Sequence, residues 1–142
     1  MSESAHNTVE SRPQTFAFSH YDEADFKVEG LRPFAKYRDF GFAKATNGLV
    51  QAHVMRFNPG YDPAKSKRHF HTPQLQMVYL LKGWLKFEFE GHGEITMRAG
   101  SSWIQPPGML HTVLGASDDC ELIEIIVPAD YDTINDDGHH EH

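Results

Sequence analysis

The chain has 142 residues with 39% hydrophobic and 12% aromatic content, enough to bury one core and too apolar to remain disordered. Its formal net charge of -7 repels phosphate backbones and excludes nucleic acid as the expected partner, and no apolar run approaches the roughly 20 residues that span a bilayer. The single cysteine, Cys120, cannot close an internal disulfide, and the polar N-terminus lacks the basic and apolar parts of a secretory signal, so the expected location is cytoplasmic.

Residues 1–36 read as an N-terminal extension. It is polar and aperiodic to Pro13, with a candidate edge strand at Thr15–Phe18, and it either wraps the outside of the domain or reaches a partner subunit. Residues 37–128 carry regular strand signals. Tyr37–Ala45 is aromatic-rich and broken by Gly41, Asn47-Gly48 is a hairpin turn signal, and Leu49–Phe57 ends at Asn58-Pro59-Gly60. A polar loop with Lys65, Lys67 and Arg68 then leads into His69–His71 and, past Thr72-Pro73, into Gln74–Leu81. Trp84–Glu90 places Leu85, Phe87 and Phe89 on one face and Lys86, Glu88 and Glu90 on the other, which predicts a half-buried antiparallel strand. Glu94–Arg98, Ser101–Gln105, His111–Leu114 and Glu121–Val127 complete the set, with Pro106-Pro107-Gly108 as a rigid corner. Residues 129–142 form an acidic, His-tipped tail. Short strands at close spacing, with Gly/Pro turns and no strong helix, predict an all-β sandwich or barrel.

Within such a strand His69 and His71, two apart, aim into one space while Phe70 turns away. Two imidazoles on one strand can share a divalent metal, and further ligands must come from elsewhere. His111 follows a corner whose locked backbone can fix its direction, and Gln76 can offer its amide oxygen. Parity puts Val78 with Gln76 and turns Met77 and Tyr79 to the opposite face. These two, with Trp103 and Met109, lie near the motifs and are either pocket lining or ordinary core. His53 reads as structural, and Cys120 as a small buried residue rather than a nucleophile. Lys65, Lys67 and Arg68 are either a solvated loop or a means of steering an anion. His139, His140 and His142 are excluded, because a floppy tail cannot preorganise ligands.

These residues resemble the cupin superfamily, in particular small single-domain bacterial cupins. The first cupin motif sets an HxH pair, an acidic residue and a glycine at the spacings held here by His69, His71, Gln76 and Gly83. The second is matched by Gly100, Pro106, Gly108 and His111, and Gly115 stands where that motif ends in Asn. Gly60 also lies further before His69 than the family's first glycine does. The resemblance implies a cupin double-stranded β-helix, or jelly-roll barrel, built as a homodimer. It also implies a divalent transition metal (Fe, Ni, Mn or Zn) on His69, His71 and His111, with Gln76 as fourth ligand or near neighbour. Gln76 replaces the usual Glu, so the ligand set is neutral and favours an anionic substrate on the open positions. The first functional expectation is therefore a metal-dependent dioxygenase acting on a small anionic or enolic organic molecule. The alternatives are a non-catalytic small-molecule-binding cupin with a structural or ligand-anchoring metal, and a metal-dependent isomerase or lyase. No spare His or carboxylate within the two motifs supplies an acid or base for the last.

Overall fold

Along Trp84–Phe89 the inward residues Leu85, Phe87 and Phe89 are buried, while Trp84 is exposed and Lys86 and Glu88 are partly so. This is the alternation expected of a strand with one face on the core, and each buried aromatic or aliphatic side chain contributes about 1.5–3 kcal/mol. The computed structural model describes residues 12–28, 34–62 and 68–130, together with 133–135 and 140–141. In chain order the elements are β1 (Ala35–Asp39), α1 (Phe42–Ala45), β2 (Gln51–Phe57), β3 (His69–His71), β4 (Leu75–Lys82), β5 (Trp84–Phe89) and β6 (Gly93–Arg98). They continue with β7 (Ser102–Ile104), β8 (His111–Ala116), β9 (Glu121–Val127), β10 (Thr133–Asn135) and β11 (His140–Glu141).

All strand pairs are antiparallel, in a five-stranded sheet ordered β1-β2-β9-β4-β7 and a six-stranded sheet ordered β11-β10-β3-β8-β5-β6. Met55, Phe57, Val78, Leu80 and Leu122 of the first sheet face Leu85, Phe87, Phe89 and Val113 of the second across one core. This is the all-β jelly-roll barrel that the motifs imply. Among the described residues no helix is long and apolar enough to cross a membrane.

Local chemistry explains where the elements depart from expectation. The strand foreseen over Tyr37–Ala45 stops at Asp39, and Phe42–Ala45 is instead one helical turn entered through Gly41. Asn47-Gly48 is therefore not a two-residue hairpin. It closes the helix as a Schellman motif, with Asn47 left-handed at φ 54°, Gly48 N–H donating to Ala43 O at 2.7 Å and Asn47 N–H to Lys44 O at 3.3 Å. Thr15–Phe18 runs outside any sheet, held where Thr15 N–H donates to Ala45 O at 2.8 Å. The extension is pinned again at Arg56, which pairs with Glu23 and Glu121 and stacks on the Phe26 ring. Strand structure also continues past residue 128, because β10 pairs with β3. Gly83 (φ 75°) makes the turn between β4 and β5, where a Cβ would stand 2.0 Å from Ser117 Oγ and 2.6 Å from Asp119 Oδ1.

Candidate metal centre

His69 of β3 lies directly opposite His111 of β8, which in turn lies opposite Phe89 of β5. Directly paired residues share a face, so the core position of Phe89 places both imidazoles on the inner face of the six-stranded sheet. His71 joins them by the two-residue period. Ring centroids are 4.3 Å apart for His69–His111, 4.8 Å for His69–His71 and 5.0 Å for His71–His111. Their ring nitrogens fall within 4.8 Å of one another, with His69 and His111 buried and His71 half-buried. Such a group can hold a metal ion, and imidazole suits several transition metals.

Backbone contacts aim these side chains. His111 Nδ1 lies 3.1 Å from Met109 O, and a carbonyl only accepts, so Nδ1 carries the hydrogen and Nε2 carries the lone pair, the one a metal would take and the one that meets the Gln105 amide nitrogen at 3.3 Å. Gly108, at φ 82°, donates its N–H to His71 O at 3.0 Å and so joins the Pro-Pro-Gly corner to the histidine strand. Arg68, just before β3, reaches over β8 to Glu88 of β5 with two nitrogens, Nε at 2.9 Å and Nη2 at 3.3 Å. Hydrogen bonding to Arg68, reinforced by its charge, holds the Glu88 carboxyl below the usual range.

Gln76 is 2% exposed on the inner face of β4. Its Nε2 donates to Glu124 Oε2 at 3.0 Å, while its Oε1 is buried with no hydrogen-bond partner. An orphaned buried oxygen is a costly feature unless something fills its lone pairs. The three clustered imidazoles fit a divalent transition ion, and Gln76 Oε1 is a buried oxygen whose lone pairs are open.

Three site residues lie outside the expected set. Gln105 is 5% exposed, places Nε2 3.3 Å from His111 Nε2, and accepts from Trp103 Nε1 at 2.9 Å. Its own N–H donates to Gln76 O at 3.0 Å, which ties β4 to the histidine cluster. Glu124 and His53 form a pair at 2.8 Å beneath Gln76. The signal for Glu124 was present in ELIEIIV, an apolar strand with one carboxylate at the parity of Leu122 and Ile126. His53 is thus structural in a specific sense, as the partner of that carboxylate.

Other candidates resolve by position. Trp103 and Met109 pack against the core, whereas Tyr79 is 41% exposed on the outer face. Cys120 is fully buried, and desolvation pushes its thiol up to about 12, which makes it inert. Lys65, Lys67, His139 and His142 lie outside the described residues, and Arg68 is engaged by Glu88.

The Cupin domain family model matches residues 53–126, just over half of the chain. A cupin described as RmlC-like from Shewanella frigidimarina is 19% identical with a TM-score of 0.58, covering 82% of this chain and 95% of its own. A Thermotoga maritima protein titled a predicted oxalate decarboxylase is 17% identical at TM-score 0.60, covering 78% and 99%. The polyketide cyclase RemF from Streptomyces resistomycificus is 16% identical at TM-score 0.60, covering 80% of each chain. At these identities the likeness is one of fold. No curated protein matches the sequence. With both histidine motifs folded onto paired strands of a jelly roll, and the family model spanning them, the chain belongs to the cupin family.

Proposed function

We propose that this cupin holds a divalent transition metal on His69, His71 and His111, with Gln76 as an oxygen ligand. We propose further that it acts as a metal-dependent dioxygenase on a small anionic or enolic organic substrate. The observation that carries this reading is the neutral donor set: three clustered imidazoles and an amide oxygen with no other partner. Iron, nickel, manganese and zinc all accept such donors. When bound, the ion supplies an almost undiminished positive charge for an oxygen-rich anion and, if it is iron, redox reach toward dioxygen.

The chain's own part is binding and orientation. The Nδ1–H bond to Met109 O leaves Nε2 of His111 as the nitrogen for the ion, which would take the place of its contact with Gln105. Once that nitrogen is bound to the ion, the Gln105 NH2 beside it is released to orient a substrate oxygen. Phe87 and Phe89, with ring centroids 6.1 and 6.3 Å from that of His111, form an apolar wall that limits water.

The test uses protein with His139, His140 and His142 replaced by Asn, reconstituted anaerobically with iron(II). Oxygen uptake is followed with catechols, diketones, flavonols and small thiols. Uptake with an oxygenated product supports the reading, and a metal-replete protein inert across the panel sinks it. One observation favours a second reading, a metal-dependent isomerase or lyase: buried His53 and half-buried Glu124 form an acid–base pair against Gln76. Turnover in the absence of oxygen selects that reading. Tight metal retention with no turnover under either condition selects the non-catalytic binder.

A homodimer in a cytoplasmic setting completes the proposal. Exposed Leu75, Tyr79 and Ile104 on the outer face of the five-stranded sheet support the dimer, which light scattering reads directly. The lone, buried Cys120 supports the location.

A further inference from the structure

Behind Gln76 a line of polar groups runs in from exposed Asp39 through half-buried Gln51 to buried His53 and half-buried Glu124, with its donor and acceptor directions all determined. Gln51 Nε2 lies 3.4 Å from Asp39 Oδ2 and 3.0 Å from His53 Nδ1. The Asp39 carboxylate only accepts, so the Gln51 NH2 group is the one that faces it, and the same NH2 donates to His53 Nδ1. The His53 hydrogen is then on Nε2, which donates to Glu124 Oε1 at 2.8 Å. Glu124 Oε2 accepts in turn from Gln76 Nε2 at 3.0 Å. Each group leaves the next one orientation, and the last link leaves Gln76 Oε1 buried and without a partner.

We propose that His53 and Glu124 are positioning residues that hold the Gln76 amide with its oxygen turned toward the metal. The same two residues require an amide rather than a carboxylate at position 76. A glutamate there would set a carboxylate oxygen about where Gln76 Nε2 now lies, 3.0 Å from Glu124 Oε2, with no donor between them. Two carboxylates in one buried site repel unless a proton is shared. The negative charge that cupins usually place on the ligand is here carried one residue further back, on Glu124. The pocket keeps a neutral oxygen that can turn only one way. This rests on the metal reading above for its ligand half, while the coupling between positions 76 and 124 stands independently of any metal.

Two measurements test the two halves separately. The first is thermal unfolding of metal-free protein at neutral pH for wild type, Gln76→Glu, Glu124→Gln and the double swap. Gln76→Glu is expected to lower Tm by about 5 °C or more. The double swap regains most of that loss, because an amide at 124 can donate to a carboxylate at 76 while still accepting from His53. Additive single effects overturn the coupling, and if Gln76→Glu does not fold, recovery of folded protein in the double swap is the same evidence. The second is cobalt(II) titration of protein lacking the C-terminal histidines, read by its visible absorption and by competition with a chelator. Glu124→Gln is expected to weaken cobalt by about tenfold and shift the absorption band, as loss of a group that orients a ligand does. The double swap binds at least as tightly as wild type. Unchanged affinity and spectrum in Glu124→Gln overturn the positioning role. A wild-type protein that takes up no cobalt overturns the metal reading and the ligand half with it, and leaves the unfolding cycle to decide the coupling.

Discussion

The two ends of the barrel interior are built on the same strands and could hardly differ more. Along β4 the inward residues run Gln76, Val78, Leu80; along β2 they run His53, Met55, Phe57; along β8 they run His111, Val113. One end is closed by Phe57, Leu80, Leu85 and Leu122, all 3% exposed or less. The other gathers His53, His69, Gln76, Gln105 and His111, the only buried polar or charged residues among those described. The apolar end gains stability from area removed from water and asks little of direction. The polar end costs desolvation and repays it only through directed hydrogen bonds or a bound ion. A small barrel can keep such a site because the other end holds the sheets together.

The comparison breaks most completely at His111. Replacing it with Ala removes the imidazole that the second motif contributes to the cluster, and protein lacking the C-terminal histidines should lose stoichiometric metal by elemental analysis while keeping its strand signal in circular dichroism. Next is the opposite end: Leu80→Ala empties a fully buried position and should cost about 2–5 kcal/mol in denaturant unfolding with metal content unchanged. If Leu80→Ala also releases metal, the two ends are not separable.

A smaller effect is expected from the C-terminal strand. β3 pairs with β8 at one register position, His69 with His111, but with β10 at three, Thr133–Asn135 against His71–His69. Deleting residues 131–142 should therefore speed amide hydrogen exchange at His69–His71 and weaken the metal by about tenfold, while leaving exchange in β5 and β9 unaltered. The smallest concerns Glu88 of β5, which Arg68 reaches over β8. Its carboxyl lies below the ordinary 4.5 when folded, so the bridge contributes fully above pH 4.5 and is lost as pH falls through the lowered folded value. Glu88→Gln should cost well under about 1 kcal/mol at neutral pH, because both partners are partly exposed, and the difference from wild type should vanish in acid.

Much of the architecture was legible because strand alternation and turn chemistry are local. Leu85, Phe87 and Phe89 face inward as their spacing requires, and Glu121–Val127 forms a strand with the foreseen limits. Where the reading failed, a local signal was ambiguous. Asn47-Gly48 serves a hairpin and a helix C-cap equally well, since both need positive φ, and only Gly48 N–H reaching back to Ala43 O decides between them. The tail looked featureless because β10 is three residues long and takes its order from the edge of β3, a partner some sixty positions earlier.

The sequence by itself determined the inventory: an all-β barrel, two histidine motifs at their spacings, and a glutamine where the family places an acid. Periodicity and fixed spacing are properties of neighbouring residues, so they survive without a fold. Only the tertiary structure decided which group that glutamine's amide meets. Its amide is oriented by Glu124, 48 positions later, and Glu124 is held by His53, 71 positions earlier. Hydrogen-bond direction between groups so far apart exists only once β2, β9 and β4 lie side by side, because donor and acceptor must come within about 3 Å before either can dictate the other.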